Sequence, residues 1–376
     1  AVQLANRLPG AGLYGLLHDA GINGLRAPDF YGLALALGGV EVRLDELVRL
    51  YAMLAGGGID RSLVFVPGGP SARPVPRSLL SPQAAFLVLD MLRTNPRPGE
   101  EVGAAHARRR TGVAWKTGTS FGYRDAWAVG VAGRFVLGVW AGNFDGTPNP
   151  ALVGRETAGP LFFRVVDALA AAGERATPPL PPPGLLRTSV CALTGAAPGP
   201  HCPGRKESWT IPGRSPIATC SVHREIAIDA ATGLRACPGE TPRVRHEVYE
   251  FWPSHLQALF RRVGVARRTP PAYAPECERP TASGRPLRID SPQPRLVYAL
   301  RDGEADDIPF SAVADADGRR VSWFVDDAFV GQSAPGGMLF WKARPGRFVV
   351  RAVDAIGRSV TQPLTVELVS DGRLPR

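Results

Sequence analysis

Gly112-Val113-Ala114-Trp115-Lys116-Thr117-Gly118-Thr119 is the stretch on which the reading of this 376-residue chain turns. An apolar lead-in reads as a strand, and four residues then place a cation, a hydroxyl, a bare backbone and a second hydroxyl in succession. On extended backbone such a run can hold an anionic group while lying against an extended peptide. Lys116 offers a fixed positive charge for a carboxylate, Thr117 and Thr119 offer hydroxyl donors, and Gly118 removes the Cβ that would obstruct close approach. That is half of an acyl-transfer site; a nucleophile with its base would be the other half.

Working outward, Ser120-Phe121-Gly122-Tyr123-Arg124-Asp125 reads as a connection to a second strand, 126–132, and Gly133-Arg134 turns it into a third, 135–143. Upstream, Leu44, Leu47, Val48, Tyr51, Leu54 and Ala55 fall at helical spacing before Gly56-Gly57-Gly58. Ser81-Pro82 starts another helix with an N-cap and a first-turn proline, and Phe86, Leu89 and Leu92 form its buried stripe. A further helical period runs over 158–172. The strand therefore opens an antiparallel set flanked by helices, and the expected fold class is α+β. Pro178-Pro179-Leu180-Pro181-Pro182-Pro183-Gly184 interrupts the pattern, because consecutive prolines cannot donate to a ladder and favour extended geometry. Expected boundaries are 1–173, a Pro-rich linker at 174–184, a turn-rich region holding all five cysteines at 185–284, and a C-terminal β-sandwich at 285–376. One helix is expected at 254–263. In the last region Val321-Ser322-Trp323-Phe324-Val325 and 347–353 alternate with period two between turn signals such as Asp317-Gly318 and Pro345-Gly346.

The formal charge of +10 is almost wholly arginine, since Lys occurs only at 116, 206 and 342. The tightest basic run, Arg108-Arg109-Arg110, has no interleaved aromatics for base stacking, so the charge reads as solvated faces and no nucleic-acid partner is expected. No apolar stretch reaches the ~20 residues of a membrane span. The chain starts at Ala1, so a processed or truncated chain is expected, with any export signal or anchor upstream.

The run Lys116-Thr117-Gly118-Thr119, its lead-in strand and the adjoining Gly-x-x-Asp-x-Trp segment resemble the third active-site motif of the penicillin-binding proteins and serine β-lactamases, whose set is S-x-x-K, S-x-N and K-T-G. Ala1-Val2-Gln3-Leu4 is similar to the residues directly after S-x-N in the bifunctional (class A) members, and Tyr31-Gly32-Leu33-Ala34-Leu35-Ala36-Leu37-Gly38-Gly39 to their "ALG" segment. The cysteine region and the stretches 323–327 and 353–358 are similar to the C-terminal portion of the 1C type. The resemblance implies the end of a penicillin-binding/β-lactamase-like transpeptidase domain, a Cys-rich linker region and an Ig-like β-sandwich. It implies peptidoglycan synthesis in the periplasm by an inner-membrane-anchored protein with a glycosyltransferase domain further upstream. Partners implied for the intact protein are D-Ala-D-Ala stem peptides and β-lactams, with a cell-wall protein as candidate partner of the sandwich. By the same resemblance Lys116, Thr117, Gly118 and Thr119 bind the substrate's carboxylate, the Thr119 backbone N–H is an oxyanion donor, and Tyr123 and Asp125 shape the site or merely close the turn.

The departures are definite. Val113, Pro203 and Leu339 stand three residues before the three lysines, and Leu4, Gly21, Arg93, Ala141 and Thr147 stand two before the five asparagines. Neither S-x-x-K nor S-x-N occurs, so catalytic silence is expected of these residues alone. The rival expectations are a non-catalytic module binding a cell-wall or protein partner, and a hydrolase built on Ser120, which no G-x-S-x-G elbow supports.

Cys191, Cys202, Cys220, Cys237 and Cys277 share a segment short of core, the setting for disulfide staples. Cys220-Ser221-Val222-His223 and His201-Cys202 also permit zinc, but the paired C-x₂-C spacing of common zinc ribbons is missing. Disulfides among Cys191, Cys202, Cys220 and Cys237 are therefore expected, with Cys277 unpaired and no metal or cofactor. His18, His106, His246 and His255 have no spacing partners.

Overall fold

The computed structural model describes residues 2–369 apart from 67–74, 100–111, 216–217, 238–242, 275–284, 295, 302–306 and 319. The basic run 108–110, His106 and Cys277 lie outside the described residues. The chain divides into two compact units, Ala1–Arg187 with Trp209–Ser215, and Thr188–Ser208 with Pro216–Arg376.

The first unit begins with α1 (Val2–Ala5), α2 (Gly12–Asp19), α3 (Pro28–Tyr31) and a 3-10 turn at Gly32–Leu37, followed by α4 (Leu44–Ala55). The short strands β1 (Ile59–Asp60) and β2 (Arg77–Ser78) pair before α5 (Pro82–Leu92), and β3 (Val113–Thr119), β4 (Asp125–Ala132), β5 (Phe135–Gly142) and α6 (Ala158–Ala171) complete the unit. Two helix starts show their chemistry. Ser81 Oγ accepts the Ala84 N–H at 3.1 Å as the N-cap of α5. Buried Glu46 accepts the Arg43 N–H with one oxygen and both the backbone and the side-chain amide of Asn23 with the other, which fixes the start of α4.

Strands β3, β4 and β5 form an antiparallel sheet in that order, with Val113 opposite Ala132 and Thr119 opposite Ala126. On one face Val113 and Trp115 pack with Phe162, Phe163 and Val166 of α6. On the other, Ala114 and Val131 pack with Leu89 of α5 and with Tyr51 and Leu54 of α4. The central strand is buried on both faces, which explains its run of small residues. A Cβ on Gly130 would lie 2.5 Å from the Ala114 carbonyl and 2.9 Å from the Phe162 ring. Gly133 turns the β4–β5 hairpin at φ +61°, where a side chain would also strike the Arg175 carbonyl.

The second unit contains most of β6 (Leu186–Cys191) and of β7 (Arg205–Thr210), which pair with one another, then β8 (His223–Asp229) paired with β9 (Val244–Glu250), and α7 (Ser254–Arg262). Its sandwich comprises β10 (Arg288–Ser291), β11 (Val297–Arg301), β12 (Asp307–Val313), β13 (Val321–Val325), β14 (Ala328–Ser333), β15 (Leu339–Lys342), β16 (Gly346–Asp354) and β17 (Ser359–Val369). A five-stranded sheet ordered β11-β17-β16-β13-β14 and a three-stranded sheet ordered β10-β12-β15 share one core, with Trp323, Val350 and Leu364 from the first and Ile289 and Phe310 from the second. Cysteine-region residues reach the sandwich through buried Asp315. One of its oxygens accepts the Arg224 guanidinium at 2.6 Å and the Arg285 N–H at 3.1 Å.

The cysteines depart from expectation. Cys191, Cys202 and Cys220 carry free thiols, while Cys237 is disulfide-bonded. Their three sulfurs turn toward one nitrogen of His223 rather than pairing with one another.

Trp115 is 1% exposed and Phe121 fully exposed. Trp115→Ala should destabilise the first unit by about 3–5 kcal/mol and Phe121→Ala by less than about 0.5 kcal/mol, read by urea unfolding followed by circular dichroism.

Candidate active site

Among the described residues, β3 has one neighbour, β4, and is thus an edge strand. Trp115 anchors it. Its indole stacks on Phe162 at 6.0 Å and meets Phe163 edge-on at 4.8 Å. Two hydrogen bonds with Asn95 lock the same residue: the Asn95 amide donates to the Trp115 carbonyl at 2.8 Å, and the indole N–H donates to the Asn95 carbonyl at 3.2 Å.

Which way the backbone faces is set by the ladder. The Ser120 N–H donates to the Asp125 carbonyl at 3.0 Å. Backbone groups alternate sides along an antiparallel strand. Gly118 and Lys116 therefore turn their main chain toward β4, and Thr119, Thr117 and Trp115 turn theirs to the open edge. Two carbonyl contacts agree with this, since Trp115 O meets Asn95 and Thr117 O accepts the Lys116 ammonium at 2.6 Å. The open edge thus presents the N–H groups of Thr117 and Thr119 beside an exposed cation, Lys116.

Two of the expected roles are refined by contacts that sequence reading missed. Thr119 Oγ1 accepts the Gly154 N–H at 2.9 Å, so this hydroxyl holds the loop before α6 and keeps its own proton to donate. Gly154 must lack a side chain, because a Cβ there would fall 2.2 Å from the Gly118 carbonyl and 2.9 Å from that of Trp127. Gly118 is different: a Cβ would meet the Trp127 side chain at an ordinary 3.5 Å. The fold tolerates a methyl there, and its absence leaves the strand surface open to a ligand. Neither Asn95 nor Gly154 carries a signature in one sequence, being an isolated polar residue and an ordinary loop glycine.

The turn residues close the strand. Ser120 Oγ accepts the backbone N–H groups of Arg124 and Asp125, at 3.2 and 2.8 Å. Tyr123 sits at φ +57° and its carbonyl accepts the Asn149 N–H. The Asp125 carboxylate accepts the Trp140 indole N–H at 2.9 Å, tying the first strand connection to β5. A hydroxyl engaged in two backbone contacts suits a turn clamp. The strand as a whole can grip a carboxylate, pair with an extended peptide and offer N–H groups to a developing oxyanion.

A family model described as Penicillin-Binding Protein C-terminus Family matches residues 277–366. Penicillin-binding protein 1C of Escherichia coli (strain K12) is 30% identical over 287 residues, covering 72% of this chain and 35% of that protein. Penicillin-binding protein 2D of Bacillus subtilis (strain 168) is 28% identical over 203 residues, covering 50% of this chain and 29% of its own. A crystal structure of Penicillin-Binding Protein 1A from Haemophilus influenzae aligns with 22% identity and a TM-score of 0.42, over 54% of this chain and 36% of that one. The chain spans about a third of the length of the two sequence relatives.

Gly154→Ala should cost about 1–3 kcal/mol through overpacking against β3, whereas Gly118→Ala should leave the unfolding midpoint within the ordinary surface range of about 0.5 kcal/mol. Parallel thermal and urea unfolding of the two variants checks both.

Proposed function

With the chain belonging to the class A penicillin-binding proteins as a C-terminal portion, we propose that β3 is the substrate-holding strand of a peptidoglycan D-alanyl-D-alanine transpeptidase. The observation that carries this reading is the conjunction at one open edge of the Lys116 cation and the outward N–H groups of Thr117 and Thr119. Lys116, with the hydroxyls of Thr117 and Thr119, holds the terminal carboxylate of a stem peptide or of a β-lactam. The stem lies along β3 as an added strand, Gly118 giving it clearance. The Thr119 N–H donates to the oxygen of the carbonyl under attack, where a preorganised donor is worth ~10² to 10³ in rate. Tyr123 and Asp125 act at one remove by fixing the turn and the β4–β5 hairpin.

The attacking serine and its lysine base are not among these 376 residues, which contain neither S-x-x-K nor S-x-N. Loss of a serine nucleophile costs ~10⁶ in turnover, so these residues alone are silent and the reaction needs a nucleophile supplied from elsewhere in the protein. The intact protein, by this reading, also carries a glycosyltransferase domain, faces the periplasm and is anchored in the inner membrane. No helix among the described residues is long and apolar enough to cross a membrane.

A fluorescent penicillin tests the proposal. The 376-residue chain should remain unlabelled, and a longer protein carrying S-x-x-K and S-x-N should become acylated. In that longer protein Lys116→Ala should slow acylation by about 10- to 100-fold, the worth of a hydrogen bond to a charged group. Covalent labelling of the 376-residue chain, or full-rate labelling of the Lys116→Ala protein, would overturn the assignment.

A further inference from the structure

Cys191 ends β6, Cys202 lies in the turn before β7, and Cys220 and His223 lead into β8, all within the second unit. Their ligand atoms all lie within 4.8 Å of one another. Separations from His223 Nδ1 to the sulfurs of Cys191, Cys202 and Cys220 are 3.6, 3.5 and 3.5 Å. A single ring nitrogen makes one hydrogen bond, so three thiols around it exceed its capacity. A cation at the centre accounts for all of them. With Zn–S of about 2.3 Å and Zn–N of about 2.0–2.1 Å, a tetrahedral centre separates sulfur from nitrogen by about 3.6 Å. We propose that Cys191, Cys202, Cys220 and His223 bind one zinc ion through three sulfurs and His223 Nδ1, as a closed structural site.

The surroundings fit a held thiolate set. Cys191, Cys220 and His223 are buried, and Val222, Trp252, Leu256 and Phe260 pack around the sulfurs and limit access of water. Backbone hydrogen bonds tie the contributing segments together: the Cys220 N–H donates to the Ala197 carbonyl, the Cys191 N–H to that of Ala196 and the Cys202 N–H to that of Gly199. Arg224 donates to the Ser221 carbonyl and Arg285 to the Ser221 hydroxyl, which fixes the Cys220–His223 segment. The disulfide of Cys237 belongs to oxidising surroundings, where three adjacent bare thiols would oxidise and metal-held ones are protected. The expectation of no metal therefore gives way.

The test uses the full 376-residue chain. Produced in zinc-supplemented medium and passed through gel filtration, it should carry about one zinc per chain by elemental mass spectrometry. Cobalt(II) exchange should give the charge-transfer and ligand-field absorption of a tetrahedral three-sulfur site. Cys220→Ser should lose stoichiometric zinc. If that variant fails to fold, His223→Cys serves instead: it should keep one metal ion and shift the cobalt spectrum toward a four-sulfur centre. Wild-type chain without zinc, a cobalt spectrum lacking thiolate charge transfer, or a disulfide joining any two of Cys191, Cys202 and Cys220 in peptide maps would each overturn the assignment.

Discussion

The burial of one indole governs the first unit. Trp115 must pack against Phe162 and Phe163 while its carbonyl and its indole N–H both meet Asn95. A buried donor or acceptor left unmatched costs about 1–3 kcal/mol, so only one strand position satisfies packing and hydrogen bonding together. A one-residue slip would carry Lys116 into the aromatic core and expel the indole. Register at Trp115 therefore decides where the cation and the outward N–H groups stand. The chemistry of the edge is inherited from the packing behind it.

Local patterns carried the elements well. Leu44–Ala55 matches the expected helix, and Val113–Thr119 and Val321–Val325 match the expected strands. Each had a period to read and a glycine, proline or cap to stop it. The contacts of the candidate site were less legible, since Thr119 with Gly154 and Trp115 with Asn95 join residues 35 and 20 positions apart with no repeating pattern. The cysteines show a different failure. Their count and the expectation of export favoured pairing, and only half of the constellation, Cys220-x-x-His223, is local in sequence. The other two proposed ligands come from the end of β6 and the turn before β7.

The cysteine region and the sandwich share one compact unit because a buried acid links them. Asp315 is 2% exposed and binds Arg224 and the Arg285 backbone, while the Ser254 N–H donates to the Ala314 carbonyl next to it. Truncating one side of a buried charge pair strands the other charge in a medium that solvates it poorly. Within the sandwich, Arg358 plays a similar part, donating at 2.6 Å to Asp354 across the turn between β16 and β17 and at 3.0 Å to Asp317 in the connection before β13. Buried ionic ties thus supplement the apolar core of this unit.

The open edge of β3 also bears on how such a surface can evolve. Side chains are readily exchanged, but a main-chain N–H is common to every residue except proline. Recognition through the Thr117 and Thr119 amides, as proposed for this strand, would therefore be nearly invisible to point mutation, and Trp115 packs behind them. Side chains of the adjoining turn, such as exposed Phe121 and Tyr123, can change far more easily than that main-chain pattern.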